Sequence, residues 1–191
     1  MSYLWILIAL ASFFHLFYFY ALWKKDFSVI DIAWGLSASI IALLAILQVE
    51  IIDWRSFLVA FLTLIWGARL AFYLCERNAK VGEDERYAQW REEWGQKANL
   101  QAYFRVFWLQ TILSFVIFSS LPLIIFAQHQ QFHWIDVIAL LIWLLGFFIE
   151  TLADSQKRKF KEQESQRGQI CKKGLWRYSR HPNYFGEATL W

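Results

Sequence analysis

Charge is what this sequence has least of. Only 18% of its 191 residues are Asp, Glu, Lys or Arg, against roughly 25% in an average soluble domain. Too few charges remain to coat a soluble globule, while 58% of the residues are hydrophobic and 20% aromatic. Cysteine is scarce as well. Cys75 and Cys171 form no Cys-x-x-Cys pair, so neither a disulfide framework nor a thiolate metal site is expected. Internal repeats and low-complexity linkers are missing, which predicts a single membrane domain over residues 1–191. No basic residue precedes the first apolar segment and no small-residue cleavage site follows it. That segment therefore reads as a membrane helix and not as a secretory leader.

What the chain does have is long apolar runs. A helix needs about 20 of these residues to cross a bilayer, and five stretches qualify: Tyr3 to Trp23, Val29 to Val49, Phe57 to Cys75, Phe104 to Ala127 and Trp134 to Ala153. A sixth begins near Tyr184. The fold class predicted is all-α, a multi-pass transmembrane helical bundle with five complete spans and the start of a sixth. Most of the 19 Lys and Arg fall in segments 24–28, 76–103 and 154–181, whereas only Arg55 lies in the loops of the opposite side. By the positive-inside rule those segments are cytoplasmic and the N-terminus is outside. The net charge of +3 is what this topology demands, and no nucleic-acid partner is implied.

Within the long loop, "GEDERYAQWREEWG" places Tyr87, Trp90 and Trp94 at helical spacing with charges between them. This predicts a helix lying in the headgroup region, either as a membrane-surface anchor or as a cover over substrate or cofactor. Pro122 predicts a kink in the fourth span. His129 and His133 are four apart, but with no further ligand nearby they do not make a zinc site, and no metal is expected.

Ionisable groups in membrane helices are costly and mark candidate sites. Asp31, Arg69 and Glu150 lie near the cytoplasmic ends of their spans, and His15 lies mid-span. Asp31 and Arg69 can be read as an ion pair pinning two helices, or as the floor of a polar cavity open to the cytoplasm. Gly35 and Ser39 follow Asp31 at four-residue steps and offer a small-residue face for packing. Glu150, Asp154, Arg158 and Lys161 are spaced four, four and three, forming one helical stripe. A strongly basic segment follows it and leads into "SRHPNYFGEATLW". There Pro182 predicts the first turn of a helix and pushes His181 towards extended backbone. The N–H groups of that helix start, with Arg177, Arg180 and His181 beside them, suit a phosphate.

The stretch "GLWRYSRHPNYFGE", residues 174–187, resembles the C-terminal signature of the steroid 5α-reductase-like membrane proteins, and its "HPNY" is similar to the sterol Δ14-reductases. "DIAWG" at 31–35, "WGARLAFYLCERN" at 66–78 and "GEDERYAQWREEWG" at 82–95 resemble the bacterial branch of that superfamily. The resemblance implies an enzyme taking hydride from NADPH to a C=C bond conjugated to a carbonyl, in a lipid or steroid-like substrate. It implies a cofactor site formed by Glu150, Asp154, Arg158, Lys161, Tyr178, Arg180, His181, Asn183 and Glu187. The carbonyl-polarising pair of the family falls, by position only, on Asp31 and Tyr73.

Isoprenylcysteine carboxyl methyltransferases share an "RHP" turn and bind S-adenosylmethionine. A methyltransferase is therefore the alternative reading, and a non-catalytic membrane protein of the same fold is the third. The resemblance also implies further sequence beyond Trp191, with residues 154–191 an incomplete cofactor-binding signature. It suggests a bacterial inner membrane.

Overall fold

The computed structural model describes residues 3–127, 131–163 and 169–191. His129 and Arg167 lie outside the described residues. Among the described residues all regular structure is helical, and five helical runs are long and apolar enough to cross a membrane. Residue contacts divide the chain into two compact units, Met1–Gln130 and Gln131–Trp191.

In the first unit α1 (Tyr3–Lys24), α2 (Val29–Ile46) and α3 (Trp54–Val81) follow one another. Helix α1 ends in a Schellman turn. Lys25, at φ 55°, donates its N–H to the Leu22 carbonyl, and Asp26 donates to Ala21; glycine is the usual residue at this left-handed position. Helix α2 is the centre of the unit, with Ala33, Gly35, Ser37, Ala38, Ser39, Ala42 and Ala45 all buried. The small-residue face is used as expected. Helices α2 and α3 cross so closely that a Cβ on Gly67 would collide with the Ser39 hydroxyl and the Gly35 carbonyl.

Helix α3 runs beyond Cys75, where the apolar run stops, to Val81. It ends at Gly82, whose N–H (φ 79°) donates to the Asn78 carbonyl at 2.9 Å. The physical reason is simple: hydropathy marks where the membrane ends, whereas backbone hydrogen bonding continues into water until a residue breaks it. Within the segment 76–103, expected to contain a helix, residues 82–84 separate α3 from the next helix. They are followed by α4 (Glu85–Trp94), a 3₁₀ turn (Gly95–Lys97) and α5 (Ala98–Ala102). Helix α4 is the helix expected in "GEDERYAQWREEWG"; the Asp84 side chain caps its N-terminus by accepting from Arg86 N–H.

The fourth span is not one α-helix. A π-helical turn (Tyr103–Trp108) leads into α6 (Leu109–Ile117), and α7 (Ser120–Phe126) follows a break at Phe118–Ser119. The break lies four residues before Pro122. Proline has no N–H for the Phe118 carbonyl and its ring crowds that carbonyl. The helix therefore restarts at Ser120, with Pro122 in its first turn. Helices α6 and α7 both pack on α2, and α7 also packs on α3. The π turn brings Tyr103 to α1, where its hydroxyl meets the second ring nitrogen of His15; the first ring nitrogen bonds the Ala11 carbonyl.

The second unit is built on α8 (Trp134–Lys161), which continues past the expected end at Ala153 and carries the Glu150, Asp154, Arg158, Lys161 stripe on one unbroken helix. A 3₁₀ turn (Gly174–Arg177) and α9 (Pro182–Leu190) pack against it. Pro182 is the first residue of α9, as the sequence predicts, whereas His181 before it, at φ −141° and ψ 65°, is extended in φ alone.

Candidate functional site

Chemistry-bearing side chains gather in two places, one in each unit. In the first unit they surround the start of α2. Ser28 and Asn78 are buried, and the Asn78 amide donates to both the carbonyl and the hydroxyl oxygen of Ser28 at 3.3 and 3.2 Å. Asp31 accepts from Arg77 at 3.1 Å and from Arg86 at 3.5 Å on one carboxylate oxygen, and from the Tyr87 hydroxyl at 2.7 Å on the other. Its partners do not include Arg69. Helix α3 runs antiparallel to α2 in a register that sets Gly35 against Leu70 and Ala71 and Ser28 against Asn78. Asp31 therefore meets the last turns of α3, and Arg69, eight residues before Arg77, lies roughly 12 Å further up the axis. Tyr73 sits one turn before Arg77 on the same stripe of α3 and is half-buried.

A second knot adjoins this one. Glu83 takes two hydrogen bonds from Arg91, at 2.8 and 3.2 Å, and one from the Phe27 N–H at 2.6 Å; the Arg91 guanidinium also lies 3.8 Å over the Phe27 ring. Helix α4 is thus clamped to the α1–α2 connection by charged side chains. Tyr87 is its buried residue, while Trp90 and Trp94 stack on each other at 5.6 Å. Asp84 bonds Arg86 at 3.0 Å and pairs with Arg77 at 3.7 Å. Burial pushes the Asp84 carboxyl up, but hydrogen bonds from Arg86 and the charges of Arg86 and Arg77 outweigh it and hold it below its usual value. Composition gave no hint of this network. The available signal was the charge density of "GEDERYAQWREEWG", in which Glu83 and Arg86 also bond residues more than fifty positions away.

In the second unit the site grows from two glycines. A Cβ on Gly186 would fall 2.6 Å from the Glu150 amide nitrogen and 2.7 Å from the Gly146 carbonyl oxygen. One on Gly146 would fall 2.7 Å from the Gly186 carbonyl oxygen and 2.8 Å from the Leu190 nitrogen. Helices α8 and α9 therefore touch backbone to backbone and run antiparallel, since 186 faces 150 while 190 faces 146. Each residue advances about 100° around a helix, and in an antiparallel pair the same rotational sense leads to the same flank. Glu150 and Asp154 on α8 and Asn183 and Glu187 on α9 consequently share one flank of the crossing. Glu150 and Asp154 are buried. The Asn183 amide oxygen is buried with no hydrogen-bond partner among the described residues.

The turn before α9 is fastened to α8. The Trp176 indole N–H donates to the Ala153 carbonyl at 2.9 Å, and Leu175 N–H donates to the Gln156 side chain at 2.9 Å. The Lys157 ammonium sits 4.5 Å over the Trp176 ring. Of the site residues read from sequence, Glu150, Asp154, Asn183 and Glu187 come together and Arg158 follows one turn on. Lys161, Tyr178, Arg180 and His181 are exposed, with the His181 ring stacked on Tyr184 at 5.1 Å. Gly146, Gln156 and Trp176 were not legible as site-builders, because their role is set by what crosses them.

These features define an integral membrane protein of all-α build with a polar flank beside a glycine–glycine helix crossing. The chain matches, over residues 17–191, the family described as "Protein of unknown function (DUF1295)", and it belongs to that family, which is steroid 5α-reductase-like. It is 26% identical to an uncharacterised protein of Schizosaccharomyces pombe, over 90% of this chain and 57% of the yeast protein. The chain thus spans little more than half the length of that curated relative. No solved structure matches it.

Proposed function

We propose that this chain acts as a membrane-embedded oxidoreductase that uses NADPH to reduce a C=C bond conjugated to a carbonyl in a lipid-like substrate. The observation that carries the reading is the α8–α9 flank: two buried carboxylates, a half-buried one at Glu187 and an unpartnered buried amide oxygen, held by a backbone-to-backbone crossing. The buried Asn183 amide oxygen requires a partner, and a polar ligand supplies one. The flank suits a nucleotide. Glu150, Asp154 and Glu187 accept from hydroxyl and amino groups, and Asn183 accepts from an amide. Arg158, Lys161 and Arg180 are cations for phosphates.

When bound, NADPH supplies the hydride; the protein's part is to bind and orient it. Tyr73, the other residue of the pair with Asp31, is assigned to polarising the substrate carbonyl by donating its hydroxyl hydrogen. The Asp31 carboxylate accepts from Arg77, Arg86 and the Tyr87 hydroxyl and so holds these donors in place without donating to the carbonyl itself.

Binding measurements on the purified chain in detergent test this. NADPH is expected to bind and S-adenosylmethionine is not. The converse result establishes the methyltransferase alternative, and binding of neither leaves a non-catalytic protein of the same fold.

A further inference from the structure

The chain contains four threonines, Thr63, Thr111, Thr151 and Thr189, all within helices. Three do what threonine ordinarily does in a helix, returning the hydroxyl proton to the carbonyl four residues back. Thr63 donates to Val59 at 2.8 Å, Thr111 to Phe107 at 2.9 Å and Thr189 to Phe185 at 2.7 Å. This bond satisfies a buried hydroxyl without any neighbour's help. Thr151 does not make it. Its hydroxyl oxygen is buried and has no hydrogen-bond partner among the described residues.

Leaving a buried hydroxyl unmatched is destabilising, and the bond to the carbonyl four residues back is the usual local remedy. The position explains why the hydroxyl is held in reserve. Thr151 follows Glu150 directly and precedes Asp154 and Arg158 by three and seven residues, so it lies on the stripe that borders the polar flank. The rotational argument that places Asn183 on this flank places Thr151 there too, further round α8. Among the described residues of this unit the two unpartnered buried side-chain oxygens are Thr151 and Asn183, one a donor and the other an acceptor.

We infer that Thr151 is a ligand-binding residue: its hydroxyl donates a hydrogen bond to an acceptor oxygen of the polar nucleotide that lies along the α8–α9 flank, alongside the amide oxygen of Asn183. The inference rests on the reading of this flank as a nucleotide site and adds to it a residue that neither charge nor motif marks.

Thr151→Val tests it, since valine keeps the shape and removes only the hydroxyl. Without ligand the variant is expected to be as stable as the wild type or more so, its melting temperature higher by about 2 °C, because an unmatched buried group has been removed. Its NADPH dissociation constant is expected to rise about tenfold. Thr63→Val, which loses a satisfied bond remote in sequence from the flank, is expected to lower the melting temperature and leave affinity unchanged.

Two results overturn the inference: equal NADPH affinity in Thr151→Val and wild type, or a ligand-free Thr151→Val that melts lower, which reveals a structural partner for the hydroxyl. Wild-type protein that does not bind NADPH overturns the underlying reading instead. The ligand-free melting comparison still reports whether the hydroxyl is unmatched.

Discussion

Single residues here carry consequences that their type alone does not announce. Asp84 is an acid in a run of charges, yet it caps α4 and pairs with Arg86 and Arg77. Because its folded pKa lies below its ordinary value, it favours the native state above the unfolded carboxylate pKa of about 4. That contribution is lost as the pH falls through this range towards the lower folded value. Stability of the detergent-solubilised chain is therefore expected to drop on acidification more steeply than that of Asp84→Asn. Solvent screening keeps the difference to about 1 kcal/mol or less. Parallel melting curves of the two proteins from pH 6 to pH 3 would refute the assignment. Asp31, Glu150 and Asp154 were legible as candidates because a carboxylate in or beside a greasy helix is conspicuous, whereas Asn183 and Glu187 were assigned their role by the resemblance of "NYFGE" to the family signature. Arg77, Tyr87, Gln156 and Trp176 were not, since each looks ordinary until its partner is known.

At the level of elements, helix type and approximate position followed from hydropathy, whereas helix ends followed from other physics. Helix α3 outruns its apolar segment by six residues to Val81 and α8 outruns its own by eight to Lys161, because hydrogen-bonded turns persist in water. The fourth span breaks at Phe118–Ser119 because of a proline four residues on. The α8–α9 crossing is the element on which the proposed site depends, and its tolerance is small. Gly186→Ala puts a methyl group 2.6 and 2.7 Å from backbone atoms that cannot yield locally, so the helices must separate. Overpacking of this kind costs about 1–3 kcal/mol. Loss of that much stability is expected together with weakened NADPH binding, read by thermal melting and titration of the same variant. Unchanged binding in Gly186→Ala would show that the spacing of α8 and α9 does not matter to the ligand.

For the whole molecule, sidedness is the property most directly set by composition. The basic residues of segments 24–28, 76–103 and 154–181 predict a cytoplasmic location for Cys75 and Cys171. Cys75 is exposed and Cys171 half-exposed, so both are usable reporters. A membrane-impermeant thiol reagent is expected to label Cys171, in the polar segment before α9, in inverted vesicles and to leave it untouched in intact cells; labelling in intact cells reverses the topology. The sequence by itself determined the membrane class, the five candidate spans, the carboxylate stripe on α8 and the family likeness. These depend on hydropathy, period and local motif, which act between near neighbours in the chain. Only the tertiary structure decided that Asp31 meets Arg77 and not Arg69, that α4 is clamped by Glu83 and Arg91, and that the hydroxyl of Thr151 is left without a partner. Each of these depends on the register of packed helices, fixed by backbone contact at small residues such as Gly35 and Gly67, or Gly146 and Gly186. A one-turn slip at either crossing would conserve every local pattern and exchange every partner.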